Sequence, residues 1–408
     1  MPRQATGHER SRSNDPEATR QTSSRSLRLA AASAVVVAAL GIGGAAFAAL
    51  SGGGATNRTG TSTASVSTTD PSAPVVATPG GAAPGASGFD AVACPASSLC
   101  VAVGASASGV GIAATSSNGG ASWASQALPP GVPELDAVSC ANASTCVAVG
   151  PGSLLSTANA GATWNVHAPP VTNASLLGVS CTTEFVCVAV GILPNPTSAY
   201  SGEVDVSSDG GNTWSEASAP SNTPGLGAVT CPKATRCIAV GATILTSDNA
   251  GQTWQQRTVN GGMQALSSIT CSSTLVCVAV GSNSQGFSNP SATAAGVIST
   301  DGGNTWNQAS FPAATAGVQR LECVGSGSGS CFALGQGLAK GGGATFLASA
   351  DGGQSWGSAA PPPGMTGLAA LACSGPSACV MVGQAAGGSS SATTTNNGAS
   401  WNTIAVAL

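Results

Sequence analysis

A five-residue segment, Cys-Val-Ala-Val-Gly, recurs along this chain and constrains its fold more than any other feature. It occurs four times, at 100–104, 146–150, 187–191 and 277–281, and near copies begin at three further cysteines, Cys237, Cys331 and Cys379. These copies define seven units, whose first cysteines lie 40–52 residues apart. That period is the length of one small four-stranded sheet with its turns, so the chain is an array of similar sheets.

Each unit predicts four short strands. The unit at 226–256 has a strand ending in Cys231, a five-residue loop, a strand beginning with Cys237, a third strand, a turn, and a fourth strand beginning with Trp254. One such sheet buries neither apolar face alone, so neighbours must stack. Seven twisted sheets can close into a ring without exposed end edges. We therefore expect an all-β fold over 89–408, a seven-bladed β-propeller of four-stranded antiparallel blades, and the sequence leaves open how the ring closes. An open solenoid is the alternative.

The 14 cysteines fall in pairs, two in each unit. The members of a pair flank the first loop, where residues opposed across a hairpin lie about 4.5–5.5 Å apart and a disulfide can join them. The expected bridges are Cys94–Cys100, Cys140–Cys146, Cys181–Cys187, Cys231–Cys237, Cys271–Cys277, Cys323–Cys331 and Cys373–Cys379. The alternatives are a zinc site, which needs four N or S ligands, and redox catalysis by CxxC pairs. Because His167 is the single histidine of the repeat region, we expect the cysteines to form structural bridges, and we expect no metal or cofactor.

A second signature closes each unit. In the third unit it reads Ser207-x-Asp209-x-Gly211-x-Thr213-Trp214. Asp or Asn can bond the backbone of its own turn, Gly accepts a positive φ, and Trp can fill the space between blades. The Asp/Asn and Trp positions are Asn118, Trp123, Asn159, Trp164, Asp209, Trp214, Asn249, Trp254, Asp301, Trp306, Asp351, Trp356, Asn396 and Trp401. All seven tryptophans of the chain are used in this way.

This signature resembles the Asp-box, or bacterial neuraminidase repeat, of sialidases, sortilin-like receptors and photosystem II assembly and stability factors. The resemblance covers all seven units and implies a β-propeller. It leaves function open, because the same box occurs in enzymes, receptors and assembly factors.

The N-terminal region predicts export. Residues 1–28 carry six arginines and three acids, and 29–50 contain no charge. A 22-residue helix is roughly 33 Å long, enough to span a bilayer, and the arginines orient its start to the cytoplasm. We expect 1–28 to be a basic disordered cytoplasmic tail, 29–50 a transmembrane signal-anchor and 51–88 a disordered Gly/Ser/Thr/Pro-rich linker. A cleaved signal peptide is the alternative, because Ala46-Phe47-Ala48 fits the peptidase site. The repeat region is then outside the cell, anchored or secreted.

The charged residues limit the chemistry. Residues 51–408 carry six basic and thirteen acidic side chains and have no basic cluster. This charge distribution argues against a nucleic-acid partner. The resemblance to sialidases implies an arginine triad and a tyrosine nucleophile. The chain offers Arg236, Arg257, Arg320 and the single Tyr200 at spacings that do not match that pattern. The carboxylates open to a glycosidase mechanism are Glu184, Glu203, Asp205, Glu216 and Glu322. We assign no catalytic residue and leave enzymatic activity undecided, with a non-enzyme favoured.

Meander topology predicts where a ligand would bind. The first and third turns of each unit emerge on one face, and the second turn and the connection to the next unit emerge on the other. Two insertions, 192–206 and 282–298, fall on this second face, and repeat proteins commonly bind ligands through such insertions. The candidate binding residues are Tyr200, Glu203, Arg257, Phe287, Phe311 and Arg320. Solvated loops without a ligand are the alternative.

The function expected from these observations is a non-catalytic extracytoplasmic binding or assembly scaffold of a bacterial cell. Its partner would be an unknown extracytoplasmic protein or a cell-envelope glycan, with the membrane contacted through the N-terminal helix. An extracellular glycan-binding protein or sialidase-like glycoside hydrolase is the alternative.

Overall fold

The computed structural model describes residues 86–407, except 184, 196–198, 260–264, 284–292, 314, 316, 325–328 and 337–343. These residues form 28 strands in seven antiparallel sheets, and each sheet takes four consecutive strands in order. This is the seven-bladed propeller that the repeat predicts. The predicted tail and membrane helix, and the linker up to residue 85, lie outside the described residues. Within the described part of the chain, no helix could cross a membrane.

The strands are numbered in chain order, four to a blade. Blades 1 to 4 contain β1 (Ala86–Ala93), β2 (Cys100–Ser106), β3 (Gly111–Ser116), β4 (Ala124–Gln126), β5 (Ala137–Cys140), β6 (Cys146–Gly150), β7 (Ser153–Thr157), β8 (Asn165–His167), β9 (Ser175–Cys181), β10 (Cys187–Asn195), β11 (Ala199–Ser207), β12 (Ser215–Glu216), β13 (Leu226–Lys233), β14 (Arg236–Gly241), β15 (Ile244–Ser247) and β16 (Gln255–Arg257). Blades 5 to 7 contain β17 (Ala265–Cys271), β18 (Cys277–Ser282), β19 (Ala294–Ser299), β20 (Asn307–Gln308), β21 (Val318–Cys323), β22 (Cys331–Gln336), β23 (Ala344–Ser349), β24 (Gly357–Ser358), β25 (Met365–Cys373), β26 (Cys379–Ala385), β27 (Gly388–Thr394) and β28 (Asn402–Ala405).

The repeated Cys-Val-Ala-Val-Gly segment is the second strand of each blade and is buried on both faces. In blade 1, Val101 and Val103 pack on blade 2, whereas Ala102 packs on blade 7. Since successive side chains of a strand point to opposite faces, two valines and one alanine supply the apolar surface for both neighbouring blades.

The glycine that ends this segment is required by the strand beside it. The first strand bulges opposite the glycine, as at Phe89/Ala91 in β1 and Leu266/Ser268 in β17. A Cβ at Gly104 would collide with the carbonyl oxygen of Gly88. The segment therefore ends in the one residue that allows this close approach.

The first strands lie innermost and close the ring. Each packs against the first strands of both neighbouring blades, and β1 packs against β25. Neighbouring inner strands are also joined by hydroxyl groups, since Ser139 Oγ accepts a hydrogen bond from the Cys181 backbone N–H at 2.9 Å. Phe89 of blade 1 shares one apolar cluster with Val380 of blade 7. The ring closes by packing without a strand exchange, and its first strands line a central channel.

The two faces of the ring differ as predicted. On one, here called the disulfide face, the loop between the first and second strands bonds the turn between the third and fourth strands. Gly119 N–H donates to the Ser98 carbonyl at 2.7 Å, and an equivalent bond occurs in every blade. On the other, the insertion face, the turn between the second and third strands bonds the connection to the next blade, as from Gly111 N–H to the Val132 carbonyl at 3.0 Å.

All seven predicted disulfides are formed, and no cysteine of the described residues is free. The Cα atoms of each pair are 3.9–4.1 Å apart. The two cysteines face each other across the hairpin, as in the pairing of Cys140 with Cys146. Each bridge therefore fixes the inner hairpin of its blade.

Candidate functional site

The Asp and Asn side chains of the closing signature organise turns on the disulfide face. In blade 5, Ser299 Oγ donates to Asp301 Oδ1 at 2.8 Å, the Thr305 N–H donates to the same atom at 2.9 Å, and Gly303 N–H donates to Ser299 Oγ at 2.7 Å. Desolvation raises the pKa of Asp301, but these hydrogen bonds outweigh it and hold the pKa at about 2. Corresponding bonds occur in all seven blades. These groups are turn-formers and are not poised for proton transfer at neutral pH.

The candidate binding residues of the sequence analysis do not form one site. Tyr200 lies in β11 on the insertion face, Arg257 lies in the outermost strand of blade 4, and Phe311 stacks on Trp356 with ring centroids 5.8 Å apart. A shallow groove of about 300 Å³ lies beside Phe311. Phe287 lies outside the described residues.

Glu203 requires a correction. We expect it in an insertion loop from the sequence, but it lies in β11 with 4% of its surface exposed. The reason is that most of segment 192–206 extends β10 and β11 as a hairpin instead of forming a loop.

The three arginines are likewise separated. Arg236 is buried on the disulfide face, where its guanidinium donates to the Gly302 carbonyl and to Asn304 of the next blade and forms a 2.6 Å ion pair with Asp248. It joins blades 4 and 5. Arg257 belongs to an outer strand and Arg320 to an inner strand, so the structure does not assemble an arginine triad from them.

A serine–histidine pair in blade 2 has a structural explanation. Ser156 Oγ lies 2.8 Å from His167 Nε2. The same cross-strand contact occurs in two other blades, from Gln126 to Thr115 at 2.9 Å and from Arg257 to Thr246 at 2.7 Å. Because a glutamine and an arginine can fill the same position, the contact serves to hold a short outer strand to its neighbour.

Four charged side chains converge in the central channel. Asp90 sits at the bulge of β1, Asp136 and Glu134 immediately precede β5, and Arg320 lies in β21. They come from blades 1, 2 and 6. All four lie near the start of an inner strand, and these starts follow the connections between blades, so the cluster is at the insertion-face end of the channel.

The electrostatics of these four groups are coupled. Burial raises the pKa of Asp90 to about 6, with Arg320 acting to lower it and Glu134 to raise it. Burial also raises the pKa of Asp136 to about 7, reinforced by Glu134 and Asp90 and opposed by Arg320. Arg320 donates to the Gln319 carbonyl at 3.3 Å but forms no direct ion pair with a described carboxylate. The cluster has a formal charge of −2 when all four groups are ionised, and suits a cationic group.

Two further carboxyl groups are enclosed between blades 2 and 3. Asp205 has no exposed surface and pairs with Ala189, whose side chain packs on Val147 and Val149 of blade 2. Glu203 lies two residues earlier on the same face of β11. Burial raises the pKa of both groups to about 7, and the charge of Glu216 adds to this in both; the neighbouring Glu203 also raises the pKa of Asp205, whereas Asp205 acts to lower that of Glu203. Being enclosed, they cannot reach a substrate in solution.

Sequence reasoning missed Asp90, Glu134 and Asp136. A signal was present, because units 1 and 2 have aspartate four residues before the first cysteine, where units 3 to 5 have Leu177, Gly227 and Ser267. No group of three or more His, Cys, Asp or Glu side chains within the described residues has a geometry that could hold a metal ion.

Comparisons with known proteins support the fold. No family model and no curated protein matches this chain. The GH74 xyloglucanase from Xanthomonas campestris is 15% identical, with 78% of this chain and 53% of that chain covered and a TM-score of 0.58. The WD40 β-propeller domain of Doa1 is 9% identical, with 78% and 93% covered and a TM-score of 0.51. YCF48 bound to a D1 peptide is 17% identical, with 66% and 80% covered and a TM-score of 0.49. At such identities the similarity to the xyloglucanase and to the Doa1 domain shows the fold alone, and that fold is a β-propeller.

Proposed function

We propose that this protein is a non-catalytic binding and assembly scaffold outside the cytoplasm, tethered to the membrane through residues 29–50. Seven disulfides favour an oxidising, extracytoplasmic compartment. The observation that carries the proposal is the cluster of Asp90, Glu134, Asp136 and Arg320 at the insertion-face end of the channel. A rigid ring presents these groups from three blades at a fixed geometry, which lowers the entropy lost on binding.

The chemistry of this cluster favours a protein partner that offers a basic side chain. Asp90 and Asp136 interact electrostatically with Arg320 without a direct ion pair. A lysine or arginine of a partner can therefore approach these carboxylates while Arg320 donates hydrogen bonds to an acceptor group of the same partner. Phe311 stacks on Trp356 and Tyr200 is half-buried, so neither offers the exposed aromatic platform that sugars commonly use. We therefore expect a protein in preference to a glycan.

The test is cosedimentation of oxidised residues 86–408, which contain the whole closed ring, with cell envelopes from the same source. The envelopes are used before and after protease treatment. We expect binding that protease abolishes and that Asp136→Asn weakens severalfold. The matched control is Asp351→Asn, which removes one charge on the disulfide face at a position where four blades already have asparagine.

Each other outcome contradicts part of the proposal. Binding that survives protease would indicate an envelope polysaccharide and favour the glycan-binding alternative. Binding that Asp136→Asn leaves unchanged would exclude the channel cluster as the contact. Absence of binding to the envelopes would refute the scaffold.

A further inference from the structure

The interface between blades 2 and 3 has a carboxyl group where the other six interfaces have an apolar side chain. Asp205 pairs with Ala189 in the middle of β10. The residues in the same pairing position of the other blades are Ala114, Leu155, Leu245, Val297, Leu347 and Ala392. All six are buried and belong to the apolar clusters between blades. Asp205 therefore occupies a core position of the repeat.

The carboxyl pair lacks the partners that buried charges need. Asp205 is 0% exposed and Glu203 is 4% exposed. Glu203 Oε1 and both carboxyl oxygens of Asp205 receive no hydrogen bond. A buried carboxylate without a donor or a counter-ion is strongly unfavourable, and protonation removes its charge. When one of the two groups is protonated, it also supplies the donor for a hydrogen bond to the other.

The charged groups around the pair do not compensate it. Within blade 3, the exposed Glu216 of β12 pairs with Asp205 and adds negative charge, and β10 contributes no charged side chain at the paired positions. From blade 2, the titratable group on the facing surface is His167, held by Ser156. Burial lowers the pKa of His167, with Asp209 acting in the opposite direction, so this histidine is neutral near pH 7.

We propose that the contact between blades 2 and 3 is a proton-controlled switch, which packs like the other interfaces while the Glu203–Asp205 pair is protonated and opens locally when the pair loses its protons. The other six interfaces have apolar residues at the position of Asp205. An opened interface exposes apolar surface of blades 2 and 3 while the disulfides keep the individual hairpins intact.

The direction of the pH effect on opening follows from the proton binding of the closed and open interface. In the closed interface the pKa of both carboxyl groups is raised to about 7, from ordinary values of 3.8 and 4.5. The closed form therefore binds more protons than the open form between these values. Opening becomes more favourable as the pH rises through about 4 to 7, and it no longer changes above that range.

The proposal is tested by hydrogen exchange of the oxidised full chain. Exchange is measured by mass spectrometry and corrected for the intrinsic effect of pH on the exchange rate. Peptides containing β7 and β11 report on this interface. Peptides containing β15 and β19 report on the interface of blades 4 and 5, where Val297 replaces the aspartate. Between pH 5 and 7 we expect the opening constant of β7 and β11 to rise, approaching tenfold per pH unit for one coupled proton. The control strands should show no such rise.

The variant Asp205→Asn keeps the shape of the side chain and removes its titration. We expect it to reduce the pH dependence in β7 and β11, because only Glu203 of the pair still titrates, without changing β15 and β19. If this variant fails to fold, Glu203→Gln and the comparison of the two interfaces in the unmodified chain remain as tests. The proposal is overturned if all interfaces respond equally to pH, or if either folded variant keeps the full pH dependence.

Discussion

Reduction of the seven disulfides is expected to unfold the propeller. In six of the bridges the cysteines are six positions apart in the chain, so each closes a loop of seven residues. By the chain-entropy relation, such a loop restricts the unfolded chain by roughly 2.4 kcal/mol at 25 °C. Seven bridges together contribute roughly 17 kcal/mol. This exceeds the net stability of about 5–15 kcal/mol that folded proteins possess.

The assay is near-ultraviolet circular dichroism during thermal unfolding, before and after reduction and alkylation. The seven tryptophans report on the blade interfaces, since Trp164, Trp254, Trp306 and Trp356 are buried between blades. Mass spectrometry confirms that all 14 thiols are alkylated. A paired variant, Cys140→Ala with Cys146→Ala, should lower the free energy of unfolding by about 2 kcal/mol and leave the fold intact. The reasoning fails if the fully alkylated protein keeps the tryptophan spectrum and melting temperature of the oxidised protein.

Three further predictions concern stability. Ala160 adopts φ 60° where four other blades have glycine, so Ala160→Gly should stabilise the protein by about 0.5 kcal/mol in urea unfolding. A destabilisation would contradict this. Arg236→Met should destabilise the protein by about 2–4 kcal/mol because a buried contact between blades is lost. Asp248→Asn should cost below about 1 kcal/mol because Asp248 is 71% exposed. Equal effects of the two variants would refute the role of Arg236 in joining blades 4 and 5. Because its pKa is lowered to about 2, Asp301 should contribute stability above pH 4 that is lost as the pH falls through 2. The melting temperature of Asp301→Asn should therefore fall less between pH 5 and 2 than that of the unmodified protein.

The fold was predictable because the chain repeats the same physical requirements seven times. The alternation in Cys-Val-Ala-Val-Gly predicts a strand buried on both faces, and the spacing of the cysteine pairs predicts the inner hairpins. The first strand begins at Ala86, three residues before the predicted boundary. The sequence does not reveal why the segment ends in glycine, since that depends on a bulge in the neighbouring strand and is visible only when the two are paired.

The sites were harder to predict because they join residues from different blades. Arg257 and Arg320 are both candidates for one binding surface, but the fold separates them into an outer strand and an inner strand. Asp90 and Asp136 were overlooked, because which side chains enter the channel depends on which strand is innermost and where it bulges. Glu203 was assigned to a loop because unit 3 is longer than its neighbours, although the extra residues lengthen two paired strands.

A repeat protein contains its own reference for each position, and this makes departures from the repeat informative. Six apolar residues show what the position of Asp205 requires for packing alone, so an aspartate there lowers stability unless it is protonated. In the same way, Arg320 occupies a position that is Ala91, Ala137, Gly178, Ala228, Ser268 or Ala370 in the other blades. Small residues suffice to line the channel, so packing does not explain an arginine there. Both departures add charge where the other blades have apolar or small residues, and packing alone explains neither. This is why the channel and the interface of blades 2 and 3, and not the uniform disulfide face, are the places at which to test function.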